Sequence, residues 1–247
     1  MGPRRILVLV IASDFPRHYV EMQDLWSKRI ADRCVNDRCV NDRCVTTDVW
    51  FIKAKPPHLW LGDIVNDGPL SDIVELDREA MTIFVKGNET YIPGILNKTI
   101  EAIRAIGLSD YDFIWRTNLS SVLDFAGLAK YIDSLCVSSM FYGGFTGLSV
   151  DGSVSFASGA GFLMSRDVAE YLVDNRDLLR WDLIDDVAIG ALLGPKFGIT
   201  HIERCWVQTG NEDFASLSAA GIFHFRCETY RHERTTEFMN AVSKALC

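Results

Sequence analysis

The chain lacks any excess of basic residues: 25 Lys and Arg stand against 33 Asp and Glu, for a formal net charge of −8 at pH 7. Nucleic-acid binding draws on a basic surface that neutralises phosphates, so this balance argues against that class while leaving a local basic pocket open. No apolar run approaches the ~20 residues that cross a bilayer. Arg4-Arg5 before Ile6–Ala12 imitates a secretory leader, but Asp14, Pro16 and Arg17 arrive too soon and no cleavage-like site follows. The expectation is a soluble, non-secreted protein of the cytoplasm, or of the host cytoplasm if the chain is viral. The seven cysteines form no C-x-x-C pair and no disulfide framework. There is also no G-x-G-x-x-G and no Walker A motif, which removes the usual signatures of a dinucleotide or P-loop site.

Three of the cysteines sit in a tandem repeat, Asp-Arg-Cys-Val at 32–35, 37–40 and 42–45. Such a run could hold a soft metal only if the thiols converged. Steps of five residues turn about 140° on a helix, so they do not. The repeat reads as an exposed, dispensable extension.

What is present is ample material for one core, at 48% hydrophobic and 11% aromatic over 247 residues. A single domain spanning 1–247 is expected. Ile6–Ile11 is a continuous apolar run of strand length, suited to a central parallel strand. His18–Ile30 has helical spacing, Thr46–Lys53 reads as a second strand, and Lys55–Pro69 reads as a loop. Ala80–Val85 suggests a short third strand and Ile92–Ile106 an amphipathic helix. Asp112–Arg116 reads as a further buried strand, and Leu123–Leu135 as a helix. Phe141–Thr146 and Phe162–Met164 look like strands with a turn near Ser149–Ser153 between them, and Ser158–Gly161 looks like a small-residue turn. Val168–Leu179 and Asp186–Leu193 are helical, His201–Cys205 and Ile222–Phe225 are late strands, and Thr236–Leu246 is a last helix. This alternation predicts an α/β fold, parallel at least in its first half. Sheets of that kind bind ligands past the carboxyl ends of their strands, which puts 12–17 and 116–121 at one crevice.

Chemistry-bearing residues fall in distinct groups. Arg116-Thr117-Asn118-Leu119-Ser120-Ser121 follows a buried strand and offers groups for a sugar or phosphate, or turn and cap chemistry for a helix starting near Val122. Asp185-Asp186 could cap the following helix. Equally, two carboxylates in contact raise one pKa toward a useful range for a base. His224 and Arg226 share one face of a short strand: a core histidine on one reading, part of a phosphate clamp on the other.

These pieces, in this order, resemble the Fringe and β1,3-galactosyltransferase/N-acetylglucosaminyltransferase group of GT-A glycosyltransferases over most of the chain. Arg17-His18 through Leu25-Trp26 looks like that family's helix after strand one. Glu89-Thr90-Tyr91 with Leu96-Asn97-Lys98-Thr99 is similar to its Asp-x-Tyr…Leu-x-x-Lys-Thr segment. Ser158-Gly159-Ala160-Gly161-Phe162-Leu163-Met164-Ser165 is close to its Ser-Gly-Gly-Gly-Tyr-Val-Leu-Ser motif, and Asp185 to Gly190 matches its acidic-Asp-Val-x-x-Gly motif. Phe223-His224 stands where the family has a late Phe-His.

The resemblance implies a GT-A (Rossmann-like) nucleotide-diphospho-sugar transferase fold, a mixed, mostly parallel sheet flanked by helices. It places a nucleotide-sugar half over 1–121 and an acceptor and catalytic half over 122–247. The implied activity is inverting transfer from a UDP-, GDP- or dTDP-linked sugar to a glycan or glycoprotein hydroxyl, with Asp186 as general base and Asp185 orienting it. Ala12, Ser13, Asp14, Arg17, Lys98, Arg116, Thr117, Asn118, Ser120, His224 and Arg226 are the expected donor-binding residues. Ser158, Gly159, Ala160, Gly161 and Trp206 are expected on the acceptor side. The chain departs from the family at its Mn²⁺-binding aspartate segment, where Asn118, Leu119 and Ser120 stand instead. Amide and hydroxyl groups are poor ligands for hard cations. The expectation is therefore no cofactor, with cationic side chains including Arg231 carrying the diphosphate charge. Weak Mn²⁺ or Mg²⁺ binding through His224, and loss of donor use in a sugar-binding pseudoenzyme, are the alternatives. A second departure is the absence of a signal anchor, which implies a cytosolic form or an excised catalytic domain. An unrelated Rossmann-like nucleotidyltransferase is a further alternative.

Overall fold

The computed structural model describes residues 4–14, 18–36, 45–55, 74–207, 220–227 and 232–245. Arg17, Arg231, the loop residues 56–69 and the cysteine side chains of the tandem repeat lie outside the described residues.

Strand β1 (Arg5–Ile11) is buried on both faces because it lies between two parallel neighbours, β2 (Thr46–Lys55) and β5 (Phe113–Asn118). Its period of two divides the core. Ile6, Val8 and Val10 join one apolar cluster, and Leu7, Leu9 and Ile11 join the other. Between β1 and β2 runs α1 (His18–Asn36), whose Trp26 is sealed into the first cluster and donates its indole N–H to Leu119 O at 3.1 Å. That bond ties the segment after β5 to the body of the protein.

Beyond β2 lie β3 (Val74–Asp77) and β4 (Thr82–Lys86), the latter parallel to β2 and the former an antiparallel edge. Helix α2 (Gly94–Ile106) packs its Leu96, Ile100 and Ile103 face on this part of the sheet. After β5 the chain forms a short strand β6 (Ser121–Leu123), where the sequence predicts the approach to a helix. Helix α3 (Phe125–Ser134) starts only at Asp124, whose carboxylate accepts the Ala126 N–H at 3.0 Å. None of the residues 116–121 caps it.

The second half is largely antiparallel. A hairpin of β7 (Tyr142–Leu148) and β8 (Ser155–Ser165) turns near Ser149–Ser153, and β8 pairs with β5. Ser158–Gly161 belong to strand β8 and not to a turn, which corrects the reading from their small side chains, although the register with β7 shifts there, from Gly144 opposite Phe162 to Thr146 opposite Ala157. It is followed by α4 (Arg166–Asp174), a 3-10 turn at Arg176–Leu178, and α5 (Asp185–Phe197), which packs on β8. Gly190 makes that packing close: a Cβ there would stand 2.5 Å from Phe156 Cβ and 2.8 Å from Ser155 O. The chain ends with β9 (Thr200–His201), β10 (Cys205–Val207), β11 (His224–Arg226) and α6 (His232–Ala245).

The main sheet has the order β3-β4-β2-β1-β5-β8-β7-β9, and β10-β11-β6 form a second small sheet. The fold is mixed α/β, parallel from β4 to β5 and antiparallel across β8, as the alternation of elements predicts. One sheet joins both halves of the chain, and the carboxyl ends of β1 and β5 lie side by side, with Ile11 opposite Asn118.

Candidate active site

Past those strand ends opens a cleft of ≈ 580 Å³, within the usual range for small-molecule sites. Strand parity sorts the residues at the end of β5. Thr117 points with Trp115 into one core layer, whereas Arg116 crosses to the other face and packs over Phe162, 5.6 Å from the ring centre.

Arg116 is 2% exposed and forms a buried ion pair with Asp185, while also donating to the Gly159 carbonyl. Both acids stand in the first turn of α5, where the helix dipole favours negative charge. Asp186 lies beside the ion pair and accepts two backbone N–H groups: Gly159 through Oδ2 at 2.8 Å and Val187 through Oδ1 at 2.9 Å. It thus serves the helix end and faces the cleft at once, with lone pairs to spare. Burial pushes its carboxyl above the ordinary range, and the charge of Asp185 adds to this; the Gly159 N–H and the Arg116 guanidinium pull the other way. Gly159 suits this arrangement. A Cβ there would lie 3.1 Å from Arg116 Nη1, 3.3 Å from Asp186 Oδ2 and 3.4 Å from Asp185 Oδ2.

From α2, Lys98 also reaches the cleft; it is 2% exposed and bridges two elements. Its Nζ donates to Ala12 O at 3.0 Å and to Glu89 Oε2 at 2.5 Å, and Glu89 Oε1 accepts the Ala54 N–H at 2.7 Å. Burial draws the Lys98 pKa below the ordinary lysine value, against the pull of Glu89. The network fixes the end of β1 against the end of β2.

At the base, Asn118 collects several contacts. Its Nδ2 donates to Gly159 O at 3.1 Å, and its Oδ1 accepts from the Ser120 hydroxyl at 3.1 Å and from the Arg226 guanidinium. Strand β11 brings Arg226 here because it runs antiparallel to β6, with Arg226 opposite Ser121.

The cleft therefore unites Ala12, Ser13, Lys98, Arg116, Asn118 and Ser120 with Ser158, Gly159, Ala160, Asp185, Asp186 and Arg226. Other residues expected there lie elsewhere. Asp14 turns away to an ion pair with Lys53 at 2.5 Å, its side chain 68% exposed. Thr117 is fully buried, with its hydroxyl 2.8 Å from Ala160 O and 3.2 Å from His224 Nε2. His224 is 1% exposed, edge-on to Trp115 at 5.2 Å, and backs onto Gly161, where a Cβ would come within 2.6 Å of its Nε2. Burial, reinforced by the Arg226 charge, lowers its pKa to about 3, so it stands as a neutral imidazole, and it is not among the residues that line the cleft. Gly161 serves that packing and does not line the cleft. Trp206 is half-buried against the core cluster and is not an exposed platform for a sugar ring.

The sequence reading passes over Tyr19, Ile95 and Val207, and does not count Glu89, Thr90 and Tyr91 among the site residues, although all six line the cleft. Glu89 to Tyr91 belong to a segment that resembles the family, and their place just after a strand's carboxyl end was the available signal.

The donor set does not fit a divalent cation. Such ions ask for anionic oxygens. Asn118, Leu119 and Ser120 supply none, and the Asn118 carbonyl oxygen already accepts a guanidinium. Asp185 is engaged by Arg116. Among the described residues no group of three His, Cys, Asp or Glu side chains converges.

No protein-family model matches the chain, and no curated protein matches it by sequence. Among solved structures it is similar to the galactosyltransferase LgtC in complex with donor and acceptor sugar analogs, at 12% identity and a TM-score of 0.47, over 96% of this chain and 95% of that one. A glycosyltransferase involved in glycosylation of the major capsid of PBCV-1 matches at 7% identity and a TM-score of 0.47, over 97% and 100% of the two chains. The glycosyltransferase GlyE of Streptococcus pneumoniae TIGR4 matches at 9% identity and a TM-score of 0.43, over the whole of this chain and 62% of that one. None of these is described as a Fringe-type or β1,3-galactosyltransferase, and the likeness lies in the course of the backbone alone.

Proposed function

We propose that the protein is an inverting glycosyltransferase. It moves a sugar from a nucleotide-diphosphate donor to a hydroxyl of a glycan or glycoprotein acceptor, without a protein-held divalent cation. The observation that carries this reading is the position of Asp186, which lines the same cleft as the carboxyl ends of β1 and β5. A donor over those strand ends has its anomeric carbon within the cleft that Asp186 borders. Asp186 takes the acceptor's proton as the acceptor oxygen bonds to that carbon. The bond from the carbon to the diphosphate oxygen breaks, and its electron pair leaves with the nucleoside diphosphate. A carboxylate with a raised pKa suits the task, since a base works best with a pKa near the operating pH. Parts of the segments that resemble the Fringe-type family, Glu89–Tyr91, Ser158–Ala160 and Asp185-Asp186, border this one cleft, which further supports the reading.

The test is transfer or donor hydrolysis across a panel of nucleotide sugars, comparing wild type with Asp186→Asn. Activity in wild type alone, with nucleotide binding retained in the variant, is expected. A binding-only reading draws on one observation, the missing carboxylates at 118–120; nucleotide-sugar binding without turnover of any donor in the wild type would favour it.

A further inference from the structure

Among the described residues, three cationic side chains line the cleft: Lys98, Arg116 and Arg226. Two already have a carboxylate, since Lys98 pairs with Glu89 and Arg116 with Asp185. Arg226 forms no ion pair among the described residues. Its bond is to the neutral carbonyl oxygen of Asn118. One contact occupies a single donor of the five that a guanidinium carries. Arg226 is half-buried, and a partly desolvated cation with no carboxylate beside it among the described residues has charge left for an anionic ligand.

We infer that Arg226, aimed by Asn118, binds the donor's diphosphate at the place where a metal ion would otherwise stand. This rests on the proposed donor class. It also gives the non-acidic segment a physical reason. An amide oxygen at 118 orients the guanidinium and leaves its full charge for a ligand; a carboxylate there would cancel that charge. Ser120 steadies the amide by donating to the same oxygen. The remaining N–H groups present the fork geometry that fits phosphate oxygens. The antiparallel register of β11 on β6 sets this fork next to the end of β5, alongside Ala12 and Ser13 of the cleft.

The experiment is calorimetric titration of the full chain with inorganic pyrophosphate, and separately with UDP, GDP and dTDP, in EDTA throughout. Wild type binds pyrophosphate under these conditions. Arg226→Gln weakens binding roughly 10- to 100-fold, the size of a lost charge-assisted contact, and Arg226→Lys retains part of it. Asn118→Asp supplies a second variant: it gives the guanidinium a carboxylate, so pyrophosphate affinity drops, and because the Nδ2–H donation to Gly159 O is lost, Tm is measured beside it to confirm that the variant is folded. Unchanged affinity in folded Arg226→Gln or Asn118→Asp overturns the inference, as does binding that appears only after Mn²⁺ is added. Failure of the functional reading looks different. Arg226-dependent pyrophosphate binding with no sugar transfer sinks glycosyl transfer alone, whereas unimpaired transfer by Arg226→Gln sinks only the role of Arg226.

Discussion

Asp186 accepts the backbone N–H of Gly159 at 2.8 Å, which fastens the first turn of α5 to the middle of β8. Gly159 sits in extended backbone that any residue can adopt, so a substitution there acts through space and not through φ. A methyl group would press on Arg116 and on both acids. Gly159→Ala is therefore expected to cost about 1–3 kcal/mol by overpacking. It should also lower kcat, because the acids must give by a few tenths of an ångström and catalysis is sensitive to the placing of a reacting group. Steady-state kinetics beside urea unfolding separates the two effects; a stable variant of full activity would remove Gly159 from the account.

The pH profile carries a sign. The carboxyl of Asp186 is raised above the ordinary value of about 4, and it acts as a base only when ionised. kcat is expected to fall as pH drops through that raised pKa, so the acid limb lies above pH ~4. A profile flat down to pH ~4 would contradict the assignment.

The Arg116–Asp185 pair is buried on both sides, with side chains 2% and 8% exposed. Removing one partner strands the other charge. Arg116→Met is expected to destabilise by about 3–5 kcal/mol, and Arg116→Met with Asp185→Leu by clearly less. Equal losses in the single and double variants, measured by denaturant unfolding, would show that the ion pair is not what holds α5 to β5.

His224 gives a different pH signature. Its pKa is held at about 3 in the folded protein, against 6.5 for a free imidazole. Between those values the unfolded chain binds the extra proton, so folding stability falls as pH decreases from about 6.5 toward 3. The slope from this single group is up to about 1.4 kcal/mol per pH unit. Urea midpoints at pH 7 and pH 5 should show a smaller difference in His224→Asn than in wild type. An unchanged difference would mean that His224 is not the sealed, neutral group described.

Much of this was legible in the chain because local pattern and environment agree. Ile6–Ile11 reads as a strand buried on both faces, and β1 is one. Asp185-Asp186 reads as cap or catalyst, and Asp186 takes one N–H from its own helix and one from across the cleft. Ser158–Gly161 was misread for a physical reason. Small residues signal turns, but here they stand in a central strand because His224, Trp115 and the acid cluster occupy the space that side chains would fill. His224 and Arg226 do share a face, as period two requires. A step of two residues along a strand spans about 7 Å, enough to carry one side chain from sealed core to open cleft. Depth along a strand is a tertiary fact that spacing does not encode. The same holds for Asp14, whose partner Lys53 lies on another strand.

The central claim is that Asp186 deprotonates an acceptor hydroxyl attacking the donor carbon from the face opposite the departing diphosphate. NMR of the product formed from an α-linked nucleotide sugar tests it most directly, with Asp186→Asn run in parallel. The account predicts a β-linked product from wild type and a fall in kcat of about 10²–10⁴ in Asp186→Asn, with donor affinity little changed. An α-linked product, or an Asp186→Asn variant that turns over like wild type, would contradict it.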